Sequence, residues 1–242
     1  MKMLTFGRRN VREILRDPLS LIFGIGFPLV LILLLSAIQA NIPVALFEIQ
    51  TLTPGITVFG LSFVTLFSAQ LVAKDRETSF LQRLFTTPMT AADFIAGYTL
   101  PILPIALLQA AVCYGAAFCL GLPVTWSVGA SLGMILPVSV IFIAMGLLFG
   151  SLLGVKQVGG LCGALLTNLT AWLSGVWFDL NLVGGFLKTL AQLLPFWHAV
   201  ELEKAVLCGN TSGMAPHLFV VLGYAAVLYA AAVTAFLLRM RR

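Results

Sequence analysis

The residues able to do chemistry in this chain are few, and most crowd into one short stretch. Residues 71–98 read LVAKDRETSFLQRLFTTPMTAADFIAGY, placing Lys74, Asp75, Arg76, Glu77, Arg83 and Asp93 between oily flanks. Elsewhere, His198 and Glu201 stand three apart in FWHAVELEK and share a helical face, which is half a metal site. The only other histidine is His217, at the start of a later apolar run, so the ordinary reading is a set of interfacial polar residues beside Trp197. Cys113, Cys119, Cys162 and Cys208 show no C-x-x-C spacing and read as inert thiols. No G-x-x-x-x-G-K-[ST] run is present to cradle ATP phosphates. Neither a metal nor a cofactor is expected in the chain, and any ATP-derived energy must come from elsewhere.

The elements that position these residues are read from hydropathy. The 242 residues are 60% hydrophobic and only 10% charged, far from the balance of a soluble domain. A membrane crossing needs about 20 mostly apolar residues. Six stretches qualify: 19–38, 55–73, 95–120, 127–153, 157–178 and 216–238. They are continuously apolar rather than alternating, which excludes barrel strands. The first is too long for the apolar core of a cleaved leader and reads as a span. The fold class is therefore all-α, a polytopic membrane protein with six transmembrane helices in one domain, 1–242. Its longest loop, 179–215, carries short helices.

Basic residues orient the chain. Lys2, Arg8, Arg9, Arg12 and Arg16 precede the first span. Lys74, Arg76 and Arg83 follow the second, Lys156 follows the fourth, and Arg239, Arg241 and Arg242 follow the sixth. Only Lys188 and Lys204 fall on the other side. Both termini are expected in the cytoplasm. The net charge of +5 then reflects membrane topology and not nucleic-acid binding.

Residues 1–18 predict an amphipathic interfacial helix, with Leu4, Val11, Ile14 and Leu15 on an apolar side and arginines facing anionic lipid. Gly146, Gly150 and Gly154 are spaced for close helix contact, as are Gly159 with Gly163 and Gly129 with Gly133. The short turn GVKQVGG predicts that spans four and five form an antiparallel hairpin. Pro28, Pro101, Pro104 and Pro137 fall inside spans. None of the six cores holds Asp, Glu, Lys or Arg, which argues against a proton-coupled carrier, a voltage sensor or an enzyme with paired intramembrane carboxylates.

Two polar or aromatic patches are candidates for a cargo lining. In the second span Phe59, Ser62, Phe63 and Phe67 share a stripe. In the fifth, Thr167, Asn168, Thr170 and Trp172 make a polar patch at membrane depth. Helix packing is the competing reading for both. The segment 74–88 reads as a stiff cytoplasmic helix with Phe80, Leu81, Leu84 and Phe85 on one side, and Arg76, Glu77 and Arg83 on others. It stops at Pro88, because the residue before a proline avoids helical geometry. Thr90 and Asp93 then restart a helix as a capping-box-like pair.

The run K-D-R-E-T-S-F-L-Q-R-L-F-T-T-P-M-T, followed by A-G-Y, resembles the second cytoplasmic segment of ABC (ATP-binding cassette) type-2 exporter permeases. The L-S-G-V-W-F run late in the fifth span, the basic N-terminal helix and the six-span order are similar as well, so the resemblance covers nearly the whole chain. Thr78 and Asp179 depart from the family pattern, which commonly has Gly and Pro there. The resemblance implies a permease subunit in a bacterial cell (inner) membrane. It would pair with a second permease as a homodimer, or with a sister permease, and bind two ABC ATPase subunits that hold ATP and magnesium. Segment 74–88 would be the coupling helix, with Arg76, Glu77, Phe80, Leu81, Arg83, Leu84 and Pro88 at the ATPase contact beside Arg12 and Arg16. Glu77 is implied to pair with Arg12 or Arg16. Cargo would be an amphipathic small molecule, drug, peptide or lipid-like compound. Export of a lipid-linked glycan and a non-transporting membrane anchor or sensor for an ATPase stand as alternatives.

Overall fold

The structure, a computed structural model, describes residues 2–78, 80 and 90–240. It is all-helical, with no strand among the described residues. An N-terminal helix α1 (Lys2–Leu15) leads through α2 (Pro18–Leu21) into the first apolar helix, α3 (Phe27–Asn41). Then come three long helices, α4 (Ile49–Glu77), α5 (Ala91–Cys119) and α6 (Trp126–Leu152). A broken run follows: α7 (Val155–Gly160), a π-helical turn at Leu161–Leu166, and α8 (Thr167–Leu173). Short helices α9 (Leu180–Val183), α10 (Gly185–Leu193) and α11 (Pro195–Leu207) precede the last, α12 (Thr211–Met240).

Among the described residues, five helical segments are long and apolar enough to cross a membrane: Ile22–Asn41, Ile49–Glu77, Ala92–Cys119, Trp126–Leu152 and Ser212–Leu238. The protein is multi-pass. The fifth stretch expected from hydropathy, 157–178, is a different object. Its helical run stops at Leu173, and Thr167, Asn168 and Thr170 dilute its apolar character. From Val155 to Leu173 it reaches roughly 28 Å at 1.5 Å per residue, close to the thickness of the hydrocarbon layer. Its π turn leaves carbonyls without their usual amide, and Thr167 Oγ1 donates to one of them, Cys162 O, at 3.0 Å. A second π turn, Ile22–Gly26, stands just before Pro28. Pro28 has no amide to give and crowds the carbonyl four residues back, so the widened turn relieves both problems.

The core is organised around α4. Its most apolar window is 83% buried, against 17% for α12. The most extensive contact in the molecule is between α4 and α6, and glycine makes it possible. A Cβ at Gly146 would lie 2.4 Å from Ser68 Cβ, and one at Gly150 would lie 2.5 Å from Ala69 O. Thr65 Oγ1 reaches across to Phe142 O at 2.9 Å. The close contact read from the spacing of Gly146 and Gly150 is thus made with the second span. A Cβ built at Gly129, Gly133 or Gly159 would meet no other part of the described structure within 4 Å. Their spacing alone carries no packing information.

Exposed apolar side chains such as Ile22, Phe23, Val30 and Leu34 project outward from the bundle. In a membrane these face lipid tails and carry no penalty. Gly150→Leu is expected to destabilise the protein by about 1–3 kcal/mol, as overpacking does. Gly159→Ala, in open space, is expected to be nearly neutral. Thermal unfolding in detergent checks both, and equal midpoints for the two variants would sink this account of α4–α6 packing.

Candidate functional site

At the end of the bundle that carries the basic termini, α1 lies against α4 and α5. The face it buries is Phe6, Asn10 and Ile14, spaced by four along the helix. Val11 and Leu15, expected on the apolar side, are exposed, whereas Ile14 belongs to the core. The difference arises because Asn10 is polar yet wholly buried, its Nδ2 donating to Gly97 O at 2.9 Å. Gly97 admits this approach, since a Cβ there would stand 2.3 Å from the Phe6 ring. Phe6 packs edge-on to Tyr98 and Phe94, with ring centroids 4.9 and 5.8 Å away.

A buried carboxylate holds this corner together. Asp75, at the end of α4, is 2% exposed. Its Oδ2 accepts from Arg9 Nη1 of α1 at 2.6 Å and from Tyr98 Oη of α5 at 3.0 Å. One oxygen therefore ties three helices. Burial is the largest single influence and works to lower the Arg9 pKa, but the bond and charge of Asp75, with Glu13 and Tyr98 nearby, together hold the guanidinium above its ordinary value. Arg9 also lies over the Phe80 ring, 4.2 Å from its centroid, so the residue just past α4 is seated on the same cation.

The next two residues of α4 serve a different joint. Arg76 Nη1 donates to Gly150 O at 2.7 Å and Leu153 O at 3.2 Å, supplying a cation to the carbonyl end of α6. Glu77 Oε1 accepts from Val155 N–H at 2.8 Å, supplying an anion to the amide end of α7. Thus Arg76 and Glu77 straddle the turn between α6 and α7. The pairing of Glu77 with Arg12 or Arg16 is corrected here. Both arginines are exposed, and the arginine of α1 that meets an acidic residue of α4 is Arg9, with Asp75 as its partner. A predicted separate helix starting at Lys74 is also revised, because nothing breaks the hydrogen-bond ladder between Ala73 and Lys74. Helix α4 runs on to Glu77, and Thr78 leaves it in extended geometry.

Asp17 begins α2, accepting from Ser20 N–H at 3.2 Å and Ser20 Oγ at 2.8 Å, with Lys74 Nζ 3.8 Å away. Its burial works to raise the pKa, yet the Ser20 bonds and Lys74 hold it below the usual carboxylate range. Thr90 and Asp93 form the reciprocal cap of α5 that their spacing predicts. Leu81, Arg83, Leu84 and Pro88 lie outside the described residues.

A family model described as ABC-2 type transporter matches residues 1–207. The chain belongs to the ABC-2 type transporter family. Among curated proteins, no match is found. Members of this family generally work with ABC ATPase subunits, and the corner built on Asp75 is the part of this ABC-2 permease that leads directly into segment 78–90.

The residues expected to line a path fall into two environments in the permease. Phe59, Ser62 and Phe67 are buried in helix contacts. Ser62 Oγ donates to Phe59 O of its own helix (2.7 Å), and the Phe59 and Phe63 rings meet Phe27 of α3 tilted and edge-on. Thr170 is buried, while Asn168 and Trp172 are exposed. His198 faces His217, with their Nδ1 atoms 2.9 Å apart, whereas Glu201 bonds Lys204 at 2.9 Å. Hydropathy reading missed Asp75 as a structural centre, although the buried pairing has a sequence signal in the acidic residue one helical turn before Thr78.

Removing one partner of a buried ion pair costs about 3–5 kcal/mol because the other charge stays buried. Arg9→Ala is expected to approach the low end of that range, since its own side chain is 34% exposed. Adding Asp75→Asn is expected to recover at least about 1 kcal/mol, as coupled neighbours do. A double-mutant cycle by detergent unfolding measures this, and purely additive losses would rule out the pairing.

Proposed function

We propose that this permease is the membrane subunit of an ATP-driven exporter, moving an amphipathic small molecule, drug, peptide or lipid-like cargo out of a bacterial cell. Both termini lie in the cytoplasm, as the distribution of Lys and Arg favours. The chain works as a pair, a homodimer in the simplest form, with two ATPase subunits. ATP and magnesium are held by those partners, and the permease itself hydrolyses nothing.

The observation that carries this reading is the continuity between the docking segment and the bundle. Force applied to residues 74–88 by closing ATPase subunits enters α4, the most buried helix. Through Asp75 it reaches α1 and α5; through Arg76 and Glu77 it reaches the turn joining α6 and α7. Five helices then move as one body, because each link is a charged hydrogen bond with both groups held. Arg8, Arg12 and Arg16, exposed on the outer side of α1, extend the contact surface toward the ATPase or the headgroups. Tilting of these bodies opens a path between subunits near spans two and five.

Glu77→Ala is expected to insert in the membrane normally and to lose export about tenfold, within the 1–3 kcal/mol typical of coupling free energies. Export by the variant equal to wild type would sink the coupling assignment. Co-purification with an ABC ATPase whose hydrolysis rises when cargo is added supports an exporter. An ATPase that binds but ignores every cargo, lipid-linked glycans included, would favour the anchor reading instead.

A further inference from the structure

A carboxyl group outside the coupling site is sealed into the opposite end of the molecule. Glu203, on α11, is 0% exposed. Its Oε2 meets Tyr114 Oη of α5 at 3.4 Å, and its Oε1 has no hydrogen-bond partner. Ser131 Oγ of α6, also buried, neighbours the same Tyr114 hydroxyl. Three elements thus bring polar atoms to one fully buried place. Apolar side chains close it in, among them Leu122, Val128 and Leu207 around Tyr114.

No cation reaches Glu203 among the described residues. Tyr114 faces it from α5, with Cys113 beside it. Helices α6 and α8 carry no titratable side chain, and those of α4 cluster in its last turn, Lys74–Glu77, at the far end. On α12, His217 is engaged by His198 of α11. Glu201 and Lys204 pair with each other, and Lys188 of α10 lines a separate cavity of about 250 Å³ with Asp179 and Trp197. An ionised carboxylate left alone in such a place carries a heavy desolvation cost, and the group takes up a proton instead. Burial accordingly pushes the Glu203 carboxyl well above the ordinary carboxylate range, with the Tyr114 bond pulling the other way.

We propose that Glu203 is a proton-binding site that fastens α11 against α5 and α6. It keeps a proton while α11 is seated, and it releases that proton to water when α11 lifts. The linkage has a definite sign. A carboxyl whose pKa is raised in the seated state stabilises that state fully below the ordinary carboxylate pKa, and the stabilisation is lost as pH rises to the raised value. Seating of α11 therefore weakens with increasing pH across that window, by about tenfold in its equilibrium per pH unit. Any consequence for transport rests on the exporter reading, in which this end faces outward; the proton site does not.

The full chain in lipid nanodiscs, without ATPase or cargo, provides the test. Infrared difference spectra taken as pH is raised stepwise from the ordinary carboxylate range into the alkaline range are expected to show the carbonyl stretch of a protonated acid being lost, a band absent in Glu203→Gln. Tyr114→Phe is expected to keep the band and shift it, because the acid loses its phenol partner. A wild-type spectrum with no such band, or a band untouched by Glu203→Gln, would overturn the proposal, and so would a band that Tyr114→Phe leaves in place. Amide exchange over residues 195–207, corrected for its intrinsic pH dependence, is expected to accelerate with pH in wild type and stay level in Glu203→Gln. Identical pH profiles for the two proteins would remove the fastening role. Failure of export assays touches neither measurement.

Discussion

A carboxylate with almost no access to water cannot stand alone, and the basic end of this permease is arranged around that constraint. Asp75 needs a cation and a second donor, and the chain supplies them from α1 and α5. Satisfying one oxygen atom thereby fixes the crossing of three helices, since Arg9 must come from one side and Tyr98 from another. Asn10 and Gly97 complete the joint in the same spirit. A buried amide finds a backbone carbonyl, and the missing Cβ lets Phe6 settle where a methyl group would collide. Such a joint contributes specificity of arrangement more than net stability, because desolvation of the pair offsets much of its attraction.

The dipeptide after Asp75 solves a different problem with the same residue types. A tight turn between two helices leaves carbonyls at one end and amides at the other without partners. Arg76 and Glu77 answer both, each matching the partial charge of the helix end it meets. Charge order along the chain therefore has a physical meaning here: the guanidinium reaches back to α6 and the carboxylate reaches on to α7. Together with the glycine-lined contact of α6 on α4, this makes the centre of the bundle continuous with the segment that follows Thr78.

Much of the fold was legible in the sequence for reasons that do not depend on tertiary contacts. A span is recognised because lipid demands long apolar helices, and Thr90 with Asp93 is recognised because a helix start needs local acceptors. Three features were not legible. Helix α4 continues through Lys74 without any local signal to mark or forbid it. The partners of Gly146 and Gly150 lie some 80 residues earlier, so the repeat announced a close contact but not with whom. The buried row of α1 contains a polar residue, Asn10, which pattern reading assigns to solvent.

By itself, the amino-acid sequence determined that this is a helical membrane protein with a charged insert between apolar stretches, because hydropathy and charge act on each segment separately. Only the tertiary structure decided which charges are structural. Asp75 and Glu203 look like ordinary surface acids in the chain, yet one is claimed by an arginine 66 positions away and the other is sealed with a phenol 89 positions away. The physical reason is that the state of an ionisable group depends on the water and partners around it, and these are assembled by segments far apart in sequence.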